Sequence, residues 1–83
     1  MSHLAPYQPV SCKMHSELEW AIMQAKSLKL TYYKDINTQK ITQIVKPIDL
    51  ITQKNKGEFL LCVDNNDISF KIRLDLIEHY DLN

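Results

Sequence analysis

Eighty-three residues make one small domain, and an apolar fraction of 45% with one Gly and three Pro excludes a low-complexity or disordered chain. Ten basic and ten acidic side chains cancel to a formal net charge of zero, which excludes a simple, strongly basic nucleic-acid binder. No apolar stretch of about 18 residues occurs, so no membrane span is expected. The N-terminus carries no basic region followed by an apolar run, so the expected compartment is the cytosol and Cys12 and Cys62 are expected as free thiols.

The charge is unevenly placed. Residues 1–56 hold eight Lys against Glu17, Glu19, Asp35 and Asp49, while residues 57–83 hold Lys71 and Arg73 against six carboxylates, so the two parts carry about +4 and −4. Residues 1–6 read as a loose end. Tyr7 to Cys12 reads as extended, because Pro9 pushes Gln8 out of the helical region. Lys13-Met14-His15 then leads to the only helix-like stretch, Ser16 to about Lys26. Ser16-Glu17-Leu18-Glu19 fits a capping box, and Leu18, Ala21, Ile22 and Ala25 recur as one narrow apolar face. Trp20 lies about 200° from Leu18 on this helix, beside Gln24 and Glu17.

Strands follow. Leu28 to Lys34 alternates, with Leu28, Leu30 and Tyr32 on one face, and residues 35–38 give a turn signal. Gln39 to Val45 is a second strand. Pro47 cannot donate to a ladder and marks a bulge, bend or edge. Ile48 to Thr52 is extended or one helical turn. Residues 53–57 form a polar loop whose Gly57 suits a positive φ. Glu58 to Val63 contains a continuous apolar run, expected to be buried on both faces. Asp64 to Asp67 reads as a hairpin turn, and Ile68, Phe70, Ile72 and Leu74 alternate without error along the next strand. Leu76 to Tyr80 closes the chain as a short strand. The expected fold is α+β, mainly β: a small antiparallel barrel of about five strands with one N-terminal helix across its open end.

Chemistry is sparse. Cys12 and His15 have a metal-like spacing, but no second ligand pair follows, so neither metal nor other cofactor is expected. There is no nucleophile elbow and no glycine-rich phosphate loop, so the chain does not read as an enzyme. Three features remain: the carboxylates Glu17 and Glu19, whose bland role is capping; Asn55 between Lys54 and Lys56, whose bland role is a solvated loop; and Tyr32-Tyr33, one of which must face outward. Trp20 reads either as a partner anchor or as a ring buried by Tyr7, Pro9 or Val10 folding back across the helix.

Several pieces together resemble the Rof (YaeO) family of Rho-binding antiterminators. They are Tyr7-Gln8-Pro9-Val10-Ser11-Cys12, Leu18-Glu19 followed by Ala21, Leu28-x-Leu30, Asp49-Leu50, Lys54-Asn55 leading to Glu58-Phe59-Leu60, and Arg73-Leu74-Asp75. The resemblance spans residues 7 to about 80, and its opening hexapeptide is the specific part. It implies a Sm-like barrel that binds the termination factor Rho at its primary RNA-binding surface and competes with RNA. Carried residue by residue, it implies partner contacts at Glu19 and Asn55, with Glu17 and Trp20 added from the helix. Where the family is acidic before the helix, this chain has Lys13-Met14-His15-Ser16, and its first carboxylate is Glu17. A reading from another class is a Sm-like RNA-binding module, using Lys26, Lys29, Lys34, Lys40 and Lys46 with tyrosine stacking.

Overall fold

The structure, a computed structural model, describes residues 6–34 and 39–82. The expected turn at 35–38 and all of the expected loose end except Pro6 lie outside the described residues. One helix, α1 (Cys12–Met23), precedes five strands: β1 (Leu28–Tyr33), β2 (Lys40–Gln53), β3 (Gly57–Val63), β4 (Ser69–Arg73) and β5 (Ile77–Leu82). A 3₁₀ turn, Leu74–Leu76, joins β4 to β5. The strands form an antiparallel sheet in the order β4-β3-β2-β1-β5, so the expected α+β, mainly-β, barrel-like architecture is present.

The helix starts earlier than the sequence suggests. Ser11 is the N-cap, with extended φ/ψ, and its Oγ accepts from the Met14 amide at 3.1 Å. Lys13, Met14 and His15 therefore lie within the helix rather than before it, and Ser16 caps nothing. The capping box at 16–19 loses to Ser11, whose own extended backbone and hydroxyl already satisfy the Met14 amide one turn earlier. No acidic residue occupies the first turn, so Glu17 and Glu19 serve neither as caps nor as dipole partners. The helix also ends earlier, in a Schellman motif. Lys26 N–H donates to Ala21 O and Ala25 N–H to Ile22 O, both at 3.1 Å, with Ala25 at φ 53°. Ala25 is thus exposed and absent from the apolar face, while Leu18 and Ala21 are fully buried. The left-handed conformation at an alanine costs roughly 1 kcal/mol relative to glycine.

Strand β2 is one continuous element of 14 residues. It pairs with β1 over residues 40–45 and with β3 from Lys46 onward, and its register with β3 shifts between Pro47 and Asp49. Of the bulge, bend or edge expected at Pro47 the structure has a bulge, and of the two readings of Ile48 to Thr52 it has the strand. The bend lets one strand serve two halves of the sheet. The core inside comprises Leu18 and Ala21 from α1, Leu28, Leu30 and Tyr32 from β1, Val45 from β2, Leu60 and Cys62 from β3, with Ile72 and Leu74.

Two expectations about β3 and β4 need correction. Leu60 and Cys62 are buried, but Phe59, Leu61 and Val63 are only half-buried. The helix covers one side of the sheet alone, so the apolar run does not mean two buried faces. Ile68 is 59% exposed and precedes β4, while Leu74 lies in the 3₁₀ turn. The last strand accordingly runs from Ile77 to Leu82 rather than from Leu76 to Tyr80.

The segment before α1 is tied to the barrel. Gln8 N–H donates to Asp75 Oδ2 at 2.9 Å, and the Tyr7 ring lies under the Arg73 guanidinium, 5.9 Å from ring centroid to Cζ. Arg73 is buried and forks onto Asp75, with Nε–Oδ1 at 2.6 Å and Nη2–Oδ2 at 3.0 Å. Tyr7 also packs on the lone glycine. Gly57 has φ +108°, and a Cβ there would come within 2.5 Å of the Tyr7 ring.

Candidate docking face

Trp20 is 44% exposed, so the ring is not buried by Tyr7, Pro9 or Val10. A cation covers part of it: Lys26 Nζ lies 5.0 Å from the ring centroid. Met23, one turn on, is 79% exposed. Helical spacing puts Glu19, Met23 and Trp20 along the outward side and Glu17 at its far margin.

The two helix carboxylates do different things. Glu17 is half-buried and accepts from the Tyr80 hydroxyl of β5 at 2.5 Å, which anchors the helix to the last strand. Burial, then that hydrogen bond, pushes the Tyr80 phenol up to about 12. Glu19 is exposed and faces His15 Nδ1 at 3.1 Å, one turn back on the same helix. The other ring nitrogen of His15, Nε2, faces Glu58 Oε2 of β3 at 2.9 Å. A neutral imidazole has one N–H and can donate to only one carboxylate, whereas imidazolium donates to both. The hydrogen bonds to Glu58 and Glu19, in that order, raise the His15 pKa above its usual value against a smaller opposing effect of burial.

These groups line a groove of about 290 Å³ between α1, β2 and β3. Glu19, Asp49 and Glu58 supply three carboxylates, and Ile22, Met23 and Leu50 supply apolar wall. Tyr7 reaches the same corner, its hydroxyl 3.3 Å from Glu58 Oε1. Burial and the Glu58 carboxylate raise the Tyr7 pKa. Asn55 sits exposed, at φ 65°, at the tip of the β2–β3 turn, which Lys56 N–H closes onto Gln53 O at 3.0 Å. The strand that this turn opens meets the helix through Glu58.

The chain matches no protein-family model and no curated protein sequence.

Of the four residues expected to meet a partner, Glu19 and Trp20 share the outward side of α1. Asn55 is exposed on the adjoining turn, and Glu17 is engaged within the fold. Sequence reading missed Asp49, Glu58 and His15 as members of an acidic groove. They come from three elements, and no local spacing connects them. Cys12 is exposed, Cys62 is buried, and both are free thiols. Burial pushes the Cys62 thiol up to about 12. Among the described residues no group of three His, Cys, Asp or Glu is arranged to hold a metal ion.

Proposed function

We propose that this protein is a non-enzymatic inhibitor of Rho-dependent transcription termination, docking on the primary RNA-binding surface of Rho in competition with RNA. The observation that carries the reading is Trp20, 44% exposed on the same outward side of α1 as Glu19 and one turn from the groove of Asp49 and Glu58. A large indole left toward solvent is a frequent interface anchor, and acid beside it suits a partner whose surface is built to hold phosphate. The resemblance of the opening hexapeptide and of the Lys54-Asn55 turn to Rof proteins supplies the partner's name. The working compartment in this reading is the bacterial cytoplasm.

The RNA-binding alternative draws less support. Tyr32 is buried, the Tyr33 hydroxyl donates to Glu78 at 2.7 Å, and Lys40 pairs with Glu78 at 2.8 Å. The face built from β1 and β2 is thus partly neutralised within the chain.

Displacement of a labelled pyrimidine-rich RNA from Rho tests the proposal. Adding this protein should release the RNA, and raised salt should weaken the effect. RNA that stays on Rho at saturating protein rejects it.

A further inference from the structure

Glu19, the exposed carboxylate on the outward side of α1, is already engaged within the chain. Its Oε1 lies 3.1 Å from His15 Nδ1, and His15 Nε2 lies 2.9 Å from Glu58 Oε2. One imidazole thus stands between a carboxylate of the helix and a carboxylate of β3. The other titratable groups around it come from two further elements. Asp49 of β2 lines the same groove and accepts from the Leu50 amide at 2.8 Å. Tyr7, from the segment before the helix, meets Glu58 through its hydroxyl. No lysine or arginine lines the groove, so His15 is the one side chain there able to carry positive charge.

Imidazolium satisfies both carboxylates. Neutral imidazole donates from one nitrogen and turns a lone pair on the other carboxylate, which it then repels. Glu58 is the partner that stays. Its contact is the shorter, its side chain is 32% exposed against 58% for Glu19, and its second oxygen accepts from Tyr7. Loss of the proton therefore releases Glu19.

We infer that His15 is a proton-operated gate on Glu19: when charged it holds the carboxylate to the chain, and when neutral it frees that carboxylate for a cationic group of a partner. Its consequence for docking rests on the Rho reading above. The hydrogen bonds to Glu58 and Glu19 raise the His15 pKa above the ordinary imidazole value, which moves the changeover toward neutral pH. Docking should strengthen as pH rises through that raised value. Reciprocally, a partner cation that takes Glu19 should lower the His15 pKa and release protons.

The rest of the molecule supplies controls. His79 faces Asp81 of β5 at 3.4 Å, outside the groove. Beside β4 lies a second cavity, of about 310 Å³, whose lining holds Lys34, Lys71 and Arg73 and neither carboxylate nor imidazole. There Lys71 Nζ rests 5.2 Å from the centroid of Phe59.

NMR of the isotopically labelled chain tests the gate without a partner. The Glu19 carboxyl resonance should move with the midpoint of the His15 imidazole, Glu19→Gln should lower that midpoint, and the Lys71 amide should stay still between pH 6 and pH 8. RNA displacement from Rho then tests the consequence. The parent should displace RNA about threefold or more better at pH 8 than at pH 6, the worth of one exposed charge pair. His15→Gln, neutral at both values, should remove most of that change, and Glu19→Gln should remove it too. Changes in Rho itself are common to all three proteins and cancel. A Glu19 resonance indifferent to the His15 titration overturns the inference, as does a pH dependence that His15→Gln leaves intact in a folded variant. Failure to displace RNA at either pH rejects the Rho reading instead, and the NMR titration alone then decides the gate.

Discussion

The two cavities differ in how each manages its charge. The groove beneath α1 gathers Glu19, Asp49 and Glu58, and the chain places His15 between two of them. The cavity beside β4 gathers three cations, of which Arg73 is answered by Asp75 while Lys71 rests over Phe59. One site therefore has its counter-charge on an imidazole, and the other has its own on the Asp75 carboxylate. The acidic groove can change its effective charge with pH through His15.

The largest effect is expected where the two regions meet. Arg73 lines the basic cavity, stacks on Tyr7 and is held by Asp75, which also accepts from the Gln8 amide. Asp75→Ala should lower unfolding free energy by about 3 kcal/mol or more, because it strands a buried guanidinium. Urea denaturation measures this, and a loss under about 1 kcal/mol would show that Arg73 finds water or another partner.

Trp20→Ala separates the outward face of the helix from the core. The exposed ring predicts a stability change within about 0.5 kcal/mol, and the docking proposal predicts a loss of about 2 kcal/mol or more in Rho binding. A variant that melts early but binds Rho as well as the parent would reject the anchor.

Glu17 and Glu19 sharpen the same contrast. Glu17→Gln alters the acceptor for Tyr80 and should lower stability by about 1 kcal/mol, with little effect on binding. Glu19→Gln should leave stability nearly unchanged and weaken binding. Exchanged phenotypes, read by thermal melts and by RNA displacement, would reverse the assignment of the two carboxylates.

The smallest effect is a pH slope. The folded pKa of His15 is raised above the ordinary imidazole value by Glu58 and Glu19, so folding binds a proton more tightly there. The resulting stability is fully present below about pH 6.5 and fades as pH rises through the raised folded value. Relative to His15→Gln, the parent should therefore lose stability between mildly acidic and alkaline buffer. Parallel stability curves would mean that the imidazole bridge contributes nothing.

Much of the fold was legible in residue alternation. Leu28, Leu30 and Tyr32 point inward as their period demands, Pro47 marks the bulge, and Gly57 takes the positive φ. The start of the helix was not legible from Ser16 alone, because two serines could cap it. The choice depended on which serine ends the extended segment, and that is Ser11. The site was less readable still. Trp20 could be placed opposite Leu18 by helical geometry, but the partners of His15 lie one helical turn away and 43 residues away. The second cavity depends on β4 being an edge strand, which is a property of sheet order rather than of any local pattern.

The unbroken run of β2 through Pro47 constrains how the gene can change length. Its residues 40–45 pair with β1, and those from Lys46 onward pair with β3, which carries Glu58 and Phe59 toward the two cavities. Inserting one residue between Ile41 and Lys46 would turn one half of the strand over, sending Val45 outward while the half beyond the bend kept its partners. Removing one residue after Asp49 would do the reverse to Leu50. Two-residue changes restore the alternation but move the bend along the sheet. Length variation should therefore be tolerated in the turns at 54–56 and 64–67 and strongly selected against within residues 40–53.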